Sequence, residues 1–180
     1  IILKGGNRPK FEKLLMQNIE NAISRLDNIK LTLAQATIYV DVENPEKLDL
    51  VAERLTKVFG IVSVTRAAVC EKDVKKIQET AKEYCADELL PGKKFKVEAK
   101  RSDKAFSLNS QEIAIEVGGY LHEECDGLIV DVHNPEVTVK VEVRDFGAYV
   151  YCVEKKLHGQ GGMPIGSSRK ASLLLSGGID

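Results

Sequence analysis

The chain has 180 residues, of which 43% are hydrophobic and 29% are charged, and its formal net charge is −1. These values are ordinary for a globular protein that buries a core in one or two domains. They exclude a bulk polycation, so any contact with nucleic acid must come from a local patch of positive charge. No apolar run approaches the roughly 18 residues that span a membrane, which predicts a soluble, cytoplasmic protein.

The cysteines and histidines of the chain predict no metal site. The four cysteines include no CxxC motif and no Cys/His pair at metal-ligand spacing. We therefore expect buried thiols in a reducing compartment at Cys70, Cys85, Cys125 and Cys152. Scaffold or surface roles are expected for His122, His133 and His158.

Residues 1–69 begin with a strand, a helix and a hairpin. Ile1–Leu3 fits the middle of a strand, and helical spacing of apolar residues runs from Pro9 to about Leu26. Two short strands follow, around residues 31–33 and 38–42, and we expect them to pair as a hairpin.

A second helix and a last strand complete this first domain. Asn44 and Pro45 fit the cap and first residue of the helix, and Gly60 fits its left-handed end. The apolar stripe predicted to be buried on this helix is Leu48, Val51, Ala52, Leu55 and Phe59. A final strand over residues 61–69 gives the element order of a ferredoxin-like α+β domain.

Residues 70–158 form a second predicted α/β domain. A helix from Glu71 to Leu90 stops at Pro-Gly, and an alternating strand follows. Asn109 and Glu112 have the spacing of a capping box and open another helix. Three strands are then predicted, over residues 128–132, 137–143 and 148–153.

A basic segment follows the first helix of this domain. Residues 93–104 contain six basic and two acidic residues, a local charge of +4 in a chain whose total is −1. Such an excess fits phosphate binding, and Phe106 could stack on an unpaired base. A solvated, solubilising face is the alternative interpretation of the same residues.

The last 22 residues contain two glycine motifs. Four glycines and Pro164 within residues 159–166 predict an extended hinge. An apolar run at Leu173–Leu175 then leads into Ser176-Gly177-Gly178-Ile179-Asp180, a strand and glycine turn of a kind that holds phosphate.

Four segments of the chain carry recognisable motifs: LKGGNRPKF (residues 3–11), KRSDKAF (100–106), GQGGMPIGSS (159–168) and SGGID (176–180). The last of them resembles the PP-loop of N-type ATP pyrophosphatases. All four, in this order, resemble the tRNA 4-thiouridine synthetases, the ThiI-type tRNA sulfurtransferases, which contain a PP-loop.

The resemblance implies a ferredoxin-like domain over residues 1–69, a THUMP domain over 70–158 and a linker with the start of a PP-loop domain over 159–180. It implies that the first two domains bind tRNA, including its 3′ CCA end. In the intact enzyme, ATP with Mg adenylates the uridine at tRNA position eight, and persulfide sulfur from a cysteine desulfurase then forms 4-thiouridine. It also implies a contribution of sulfur to thiamine thiazole synthesis and a homodimer in the intact protein.

The resemblance also assigns residues to these roles. Asp180 matches the catalytic position. The ATP-binding positions are Leu174, Leu175, Ser176, Gly177 and Gly178. The RNA-binding positions are Lys100, Arg101, Lys104, Lys4, Asn7, Arg8, Lys155 and Lys156.

Other functions remain open at this stage. The chain is expected to be the front part of a longer enzyme, to bind no cofactor and to have no sulfurtransferase activity by itself. The front domains could instead serve another THUMP-containing tRNA-modifying enzyme, or a PP-loop enzyme that acts on a small molecule. Only the RNA enzymes require tRNA affinity.

Overall fold

The computed structural model describes residues 8–26 and 28–168, which divide into two compact units. The first unit contains the described residues up to Val64 together with those from Leu157 onward, and the second runs from Thr65 to Lys156. Both units mix helices with strands, so the predicted α+β class is confirmed. Within the described residues, no helix is long and apolar enough to cross a membrane.

The first unit is built on two helices, a hairpin and a short strand pair. Its elements are α1 (Arg8–Ile23), β1 (Ile29–Ala34), β2 (Thr37–Val42), a 3₁₀ turn (Pro45–Lys47), α2 (Leu48–Thr56), β3 (Ser63–Val64) and β9 (Leu157–His158). The core is formed where Leu15, Ile19 and Ile23 of α1 meet Val51 and Leu55 of α2. Strands β1 and β2 pair antiparallel, and so do β3 and β9.

The hairpin of this unit closes through a tight turn, as the sequence predicted. Gln35 and Ala36 have φ values of 47° and 66°, and Ala34 pairs with Thr37. Positive φ at both central residues is the geometry of a type I′ turn, whose twist matches that of the strands.

Two expectations for this unit are wrong. The strand predicted over residues 61–69 divides into β3 and β4 (Ala68–Cys70), which belong to different sheets. Two residues of the apolar stripe predicted for the second helix, Leu48 and Phe59, are exposed. The face of α2 that packs on α1 is narrower than the stripe of apolar residues in the sequence. The strand predicted at Ile1–Leu3 lies outside the described residues.

The second unit is a five-stranded sheet with two helices on one face. Its elements are β4, α3 (Val74–Tyr84), β5 (Lys94–Arg101), α4 (Ser110–Glu124), β6 (Ile129–Val130), β7 (Val137–Arg144), β8 (Gly147–Cys152) and a 3₁₀ turn (Val153–Lys155). The strand order is β4-β8-β7-β5-β6, with β5 parallel to β6 and β7. Alternate residues of the central strands are buried against Ile77, Val117 and Leu121 of the helices.

Helix caps fix where these two helices begin. The Asp73 side chain accepts a hydrogen bond from the backbone N–H of Lys76, so α3 is shorter than the predicted helix over 71–90. Asn109 and Glu112 form the predicted capping box at the start of α4. Each cap satisfies backbone donors that would otherwise lack a partner.

The predicted glycine hinge is packed against the first unit. Backbone N–H groups of Gly159, Gln160 and Gly161 donate to carbonyl oxygens of residues 62, 56 and 61 at 2.9, 3.2 and 2.7 Å. A Cβ added to Gly159 would lie 2.3 Å from the carbonyl oxygen of Ile61. Glycine is therefore needed at residue 159 for close backbone approach, and the described residues 159–166 are an ordered part of this unit.

This close approach predicts opposite effects for two glycine substitutions. Gly159→Ala should lower the free energy of unfolding by about 1–3 kcal/mol, because the new methyl group must displace the Ile61 backbone. Gly119→Ala, in the exposed middle of α4 with nothing within 4 Å of the added Cβ, should raise it by about 1 kcal/mol. Urea unfolding followed by circular dichroism measures both, and equal effects of the two substitutions would contradict the packing argument.

Candidate nucleic-acid interface

The carboxyl ends of three strands meet at one edge of the second unit. Parallel pairing sets Arg101 of β5 opposite Val143 of β7, and β4 ends at Cys70 beside the start of β8. The segments that follow these strands therefore converge. We call this site, formed by Lys72, the end of β5 from Lys100 onward, residues 102–109 and the turn at 145–146, the carboxyl edge.

Lys72 ties the three segments together. Its Nζ donates to Asp103 Oδ2 at 2.7 Å and to the Asp145 backbone oxygen at 3.0 Å. The hydrogen bond from Lys72, together with one from the backbone N–H of Ala105, holds the pKa of Asp103 below its ordinary value. Sequence analysis did not single out Lys72, because its partners lie 31 and 73 residues away in the chain.

The loop at residues 102–109 is ordered by further hydrogen bonds. The Arg101 guanidinium donates to the Phe106 carbonyl at 3.0 Å, and the Arg101 N–H donates to Ser110 Oγ at 3.0 Å. The Ser102 N–H donates to the Val143 carbonyl at 2.9 Å, extending the link to β7. Arg101 thus helps to order the loop, and the direct RNA contact of Arg101 that the resemblance implies stays a prediction.

Lys100 and Lys104 are the sequence-predicted cations that this edge presents to solvent. Both are exposed, and no hydrogen bond or ion pair joins either side chain to another of the described residues. Two cations held on an ordered scaffold suit an anionic ligand such as phosphate.

The other lysines of the basic segment are neutralised. Lys93 pairs with Glu136 at 2.7 Å, Lys94 with Asp131 at 3.1 Å and Lys96 with Glu98 at 2.7 Å. Two of these acidic partners lie next to strands of the same sheet: Asp131 directly after β6 and Glu136 directly before β7. The lysines of the basic segment that have no acidic partner among the described residues, Lys100 and Lys104, therefore lie together at the carboxyl edge.

The amino-terminal end of helix α4 lies at this edge, with Glu112 in its first turn. The helix begins at Ser110, directly after the loop, so its amino-terminal end faces the same side as the strand ends. The amino end of a helix carries a partial positive charge of roughly half an elementary charge. Helix α3 begins after β4 at the same edge, although its cap Asp73 brings a negative charge.

A buried cation lies behind the exposed ones. Arg144 is 1% exposed and donates through Nε and Nη2 to Glu142 Oε2, at 3.1 and 2.5 Å. Tyr151 donates its hydroxyl to Glu142 Oε1 at 2.9 Å, and burial raises the pKa of that hydroxyl. Arg144 is consequently part of the scaffold that holds the β7–β8 turn.

Other predicted RNA-binding residues lie elsewhere. Lys155 and Lys156 follow β8, whose end at Cys152 pairs with Val139 near the start of β7, so the eight-residue strand, about 25 Å long, separates them from the carboxyl edge. Lys155 donates to Glu88 Oε1 at 2.8 Å, which raises the pKa of Lys155. Arg8, in the first unit, pairs with Glu12 at 2.7 Å.

Several predicted site residues cannot be placed in either unit. Lys4, Asn7 and the proposed ATP-binding and catalytic residues, from Leu174 to Asp180, lie outside the described residues. Their assignments stay predictions from the sequence.

Comparison with known proteins identifies both domains. A model of the THUMP domain matches residues 71–153, and a model of the ThiI ferredoxin-like domain matches residues 1–65. The chain belongs to the ThiI family. The resemblance seen in the four sequence segments is therefore confirmed.

The relatives and solved structures that match the chain cover almost all of it. A probable tRNA sulfurtransferase of Alkaliphilus metalliredigens is 44% identical over 182 residues, all of this chain and 45% of the relative. A 4-thiouridine synthetase solved as an RNA complex with bound ATP has a TM-score of 0.79 and 31% identity, covering 99% of this chain and 44% of that one. PH1313 from Pyrococcus horikoshii has a TM-score of 0.74 and 34% identity, covering 89% and 54%. The chain therefore spans about half the length of each of these three proteins.

The Lys72–Asp103 ion pair predicts a pH-dependent contribution to stability. Because the pKa of Asp103 is lowered by folding from 3.8, the pair should stabilise the protein above about pH 4 and lose that effect as the pH falls through the folded-state pKa. Asp103→Asn should therefore unfold more easily than the parent at pH 7, with a difference that shrinks on acidification. Thermal unfolding between pH 3 and pH 7 measures this.

Glu53→Gln is the matched control for this prediction. Lys57 lowers the pKa of Glu53 as well, but the two side chains are 66% and 60% exposed, so solvent screens their attraction. We expect little change in stability at any pH. A constant effect of Asp103→Asn across the pH range would contradict a role for its charge.

Proposed function

We propose that this chain is the RNA-recognition part of an ATP-dependent tRNA sulfurtransferase that makes 4-thiouridine. The observation that carries the proposal is the carboxyl edge of the THUMP domain, where Lys100 is exposed at the end of β5 and Lys104 is exposed on the hydrogen-bonded loop that follows. Support also comes from the solved relative described as a 4-thiouridine synthetase in complex with RNA and ATP. The proposal combines the exposed lysines of this chain with the RNA and ATP described for its relative.

The chain would bind tRNA chiefly through phosphates. Each phosphate that a lysine neutralises releases condensed counterions, which favours binding and makes it dependent on salt. Arg101 and Lys72 would contribute by holding the loop, since their side chains bond to the protein. We propose the 3′ CCA end as the part of tRNA recognised here.

Further residues extend the proposed RNA surface. Lys4, Asn7 and Arg8 would contact RNA from the ferredoxin-like domain, and Lys155 and Lys156 from the opposite end of the THUMP sheet. These positions rest on the sequence resemblance. Lys155 would first have to give up part of its interaction with Glu88.

The chemistry belongs to the longer protein that we propose. When bound with Mg, ATP would activate the O4 atom of the uridine at tRNA position eight by adenylation. Leu174, Leu175, Ser176, Gly177 and Gly178 would hold the nucleotide and Asp180 would take part in catalysis, on the evidence of the Ser-Gly-Gly-x-Asp sequence. The chain by itself is proposed to be inactive.

The resemblance extends the proposal to the cellular context. A cysteine desulfurase would supply persulfide sulfur that displaces AMP, and the same protein would supply sulfur for thiamine thiazole synthesis. It would act in the cytoplasm, as a homodimer.

A PP-loop enzyme acting on a small molecule is the second candidate. The Ser-Gly-Gly-x-Asp sequence favours it as strongly as it favours the sulfurtransferase, because that motif concerns ATP alone. It predicts no affinity for tRNA. Another THUMP-containing modifying enzyme would bind tRNA but has no use for this motif.

Binding to tRNA across a salt series tests the proposal. The parent should bind whole tRNA in a salt-sensitive way and bind tRNA without its CCA end more weakly. Lys100→Gln with Lys104→Gln should reduce the slope of log affinity against log salt by about one for each lysine that contacts phosphate. Arg101 is left unchanged because its substitution would disturb the loop.

Lys93→Gln with Lys94→Gln is the matched control. It removes the same charge from the same basic segment, but at the opposite end of β5, where both lysines already pair with acidic residues. We expect a smaller loss of affinity. Negligible binding of either tRNA by the parent would overturn the RNA assignment and favour the small-molecule enzyme.

A further inference from the structure

The β7–β8 turn carries an exposed aromatic ring at the carboxyl edge. Phe146 is 48% exposed. The backbone carbonyl of its neighbour in the turn, Asp145, accepts a hydrogen bond from Lys72. The Phe146 ring centroid lies 5.9 Å from that of Tyr149, with an angle of 69° between the planes. Tyr149 is 6% exposed, so this edge-to-face contact fixes one side of Phe146 against a buried residue.

The backbone of Phe146 is held by the same contacts that order the basic loop. Asp145 and Phe146 form a two-residue turn closed by the pairing of Arg144 with Gly147. The Asp145 carbonyl accepts a hydrogen bond from Lys72, which also binds Asp103, the residue next to Lys104. The turn that carries the aromatic ring and the loop that carries the exposed Lys104 are therefore joined by hydrogen bonds through Lys72.

Phe106, the aromatic residue that the sequence suggested for stacking, lies differently. It is partly buried and packs against the core of the second unit. Its backbone carbonyl accepts the hydrogen bond from Arg101. Phe106 consequently serves the structure of the loop, and the exposed aromatic surface at this edge is that of Phe146.

We propose that Phe146 is a base-stacking residue for an unpaired nucleotide of RNA bound at the carboxyl edge. The inference deepens the proposed function, on which it rests. A ring that contacts a buried neighbour and is 48% exposed offers surface for stacking, and it loses less conformational freedom on binding than an unsupported side chain would. Lys104 and Lys100 would hold the adjoining phosphates, an arrangement of cations and aromatic platform that is general for single-stranded nucleic acid.

A stacking platform has consequences that differ from those of a phosphate contact. Every base has a flat face, so Phe146 would add affinity with little choice between bases. The ring carries no charge, so its removal should leave the salt dependence of binding unchanged. These two properties separate its role from that of the lysines.

The test uses an RNA hairpin with a short unpaired 3′ strand that contains 2-aminopurine. Phe146→Ala should bind this RNA about tenfold more weakly than the parent, with the same salt slope and without the fluorescence quenching that stacking causes. Phe146→Trp should retain both affinity and quenching. The same hairpin with an abasic site in place of 2-aminopurine should remove the difference between the parent and Phe146→Ala.

Ile129→Ala is the control variant. Ile129 is also 48% exposed, but it lies on β6 beside Lys94, at the opposite end of the sheet. Equal weakening by Ile129→Ala and Phe146→Ala, or unchanged binding by Phe146→Ala, would overturn the stacking role while leaving RNA binding by the lysines in place. No binding by the parent to any RNA would overturn both proposals.

Discussion

Parallel pairing between β5 and β7 is the interaction on which the candidate site depends. The register runs without interruption from Phe95 opposite Val137 to Arg101 opposite Val143, so both strands end at the same level. A slip of one residue would turn the lysines of β5 toward the core in place of Val97 and Ala99. Burial of the apolar face therefore fixes the register, and the register in turn brings the loop at 102–109 next to the turn at 145–146.

Long-range pairing also decides which charges are available. Lys93 and Lys94 form ion pairs with acidic residues 43 and 37 residues further along the chain. Among the described residues no ion pair holds Lys104 or Lys100, although Lys100 lies opposite Glu142 in the β5–β7 register. A cation that already has a carboxylate partner gains less from a phosphate, because one attraction must be exchanged for another. The functional contrast along one basic segment is thus a result of the sheet topology.

The two glycine-rich patterns show that composition alone does not determine whether a segment is packed against its neighbours. Residues 159–166 have the composition of a hinge, yet Gly159 and Gly161 bond to the backbone near Ile61, where a side chain would not fit. Gly118 and Gly119 lie inside a regular helix, the former in ordinary contact with Val97. Glycine permits both flexibility and close approach, and only the neighbours decide which applies.

Local sequence determined the elements whose physics is local: the helix of α1, the hairpin of β1 and β2, the capping box at Asn109 and the alternation of β7. The positive φ values of Gln35 and Ala36 in the hairpin turn had no such local signal. The four motifs, in their order along the chain, identified the family, because a motif is recognised from the sequence without knowledge of the fold. The tertiary structure decided which lysines of the basic segment lack an acidic partner and that Arg101 donates a hydrogen bond to the loop. It also decided that Phe146 is exposed, whereas Phe106 packs against the core. Those outcomes depend on contacts between residues tens of positions apart, and such contacts leave no periodic signal in the sequence.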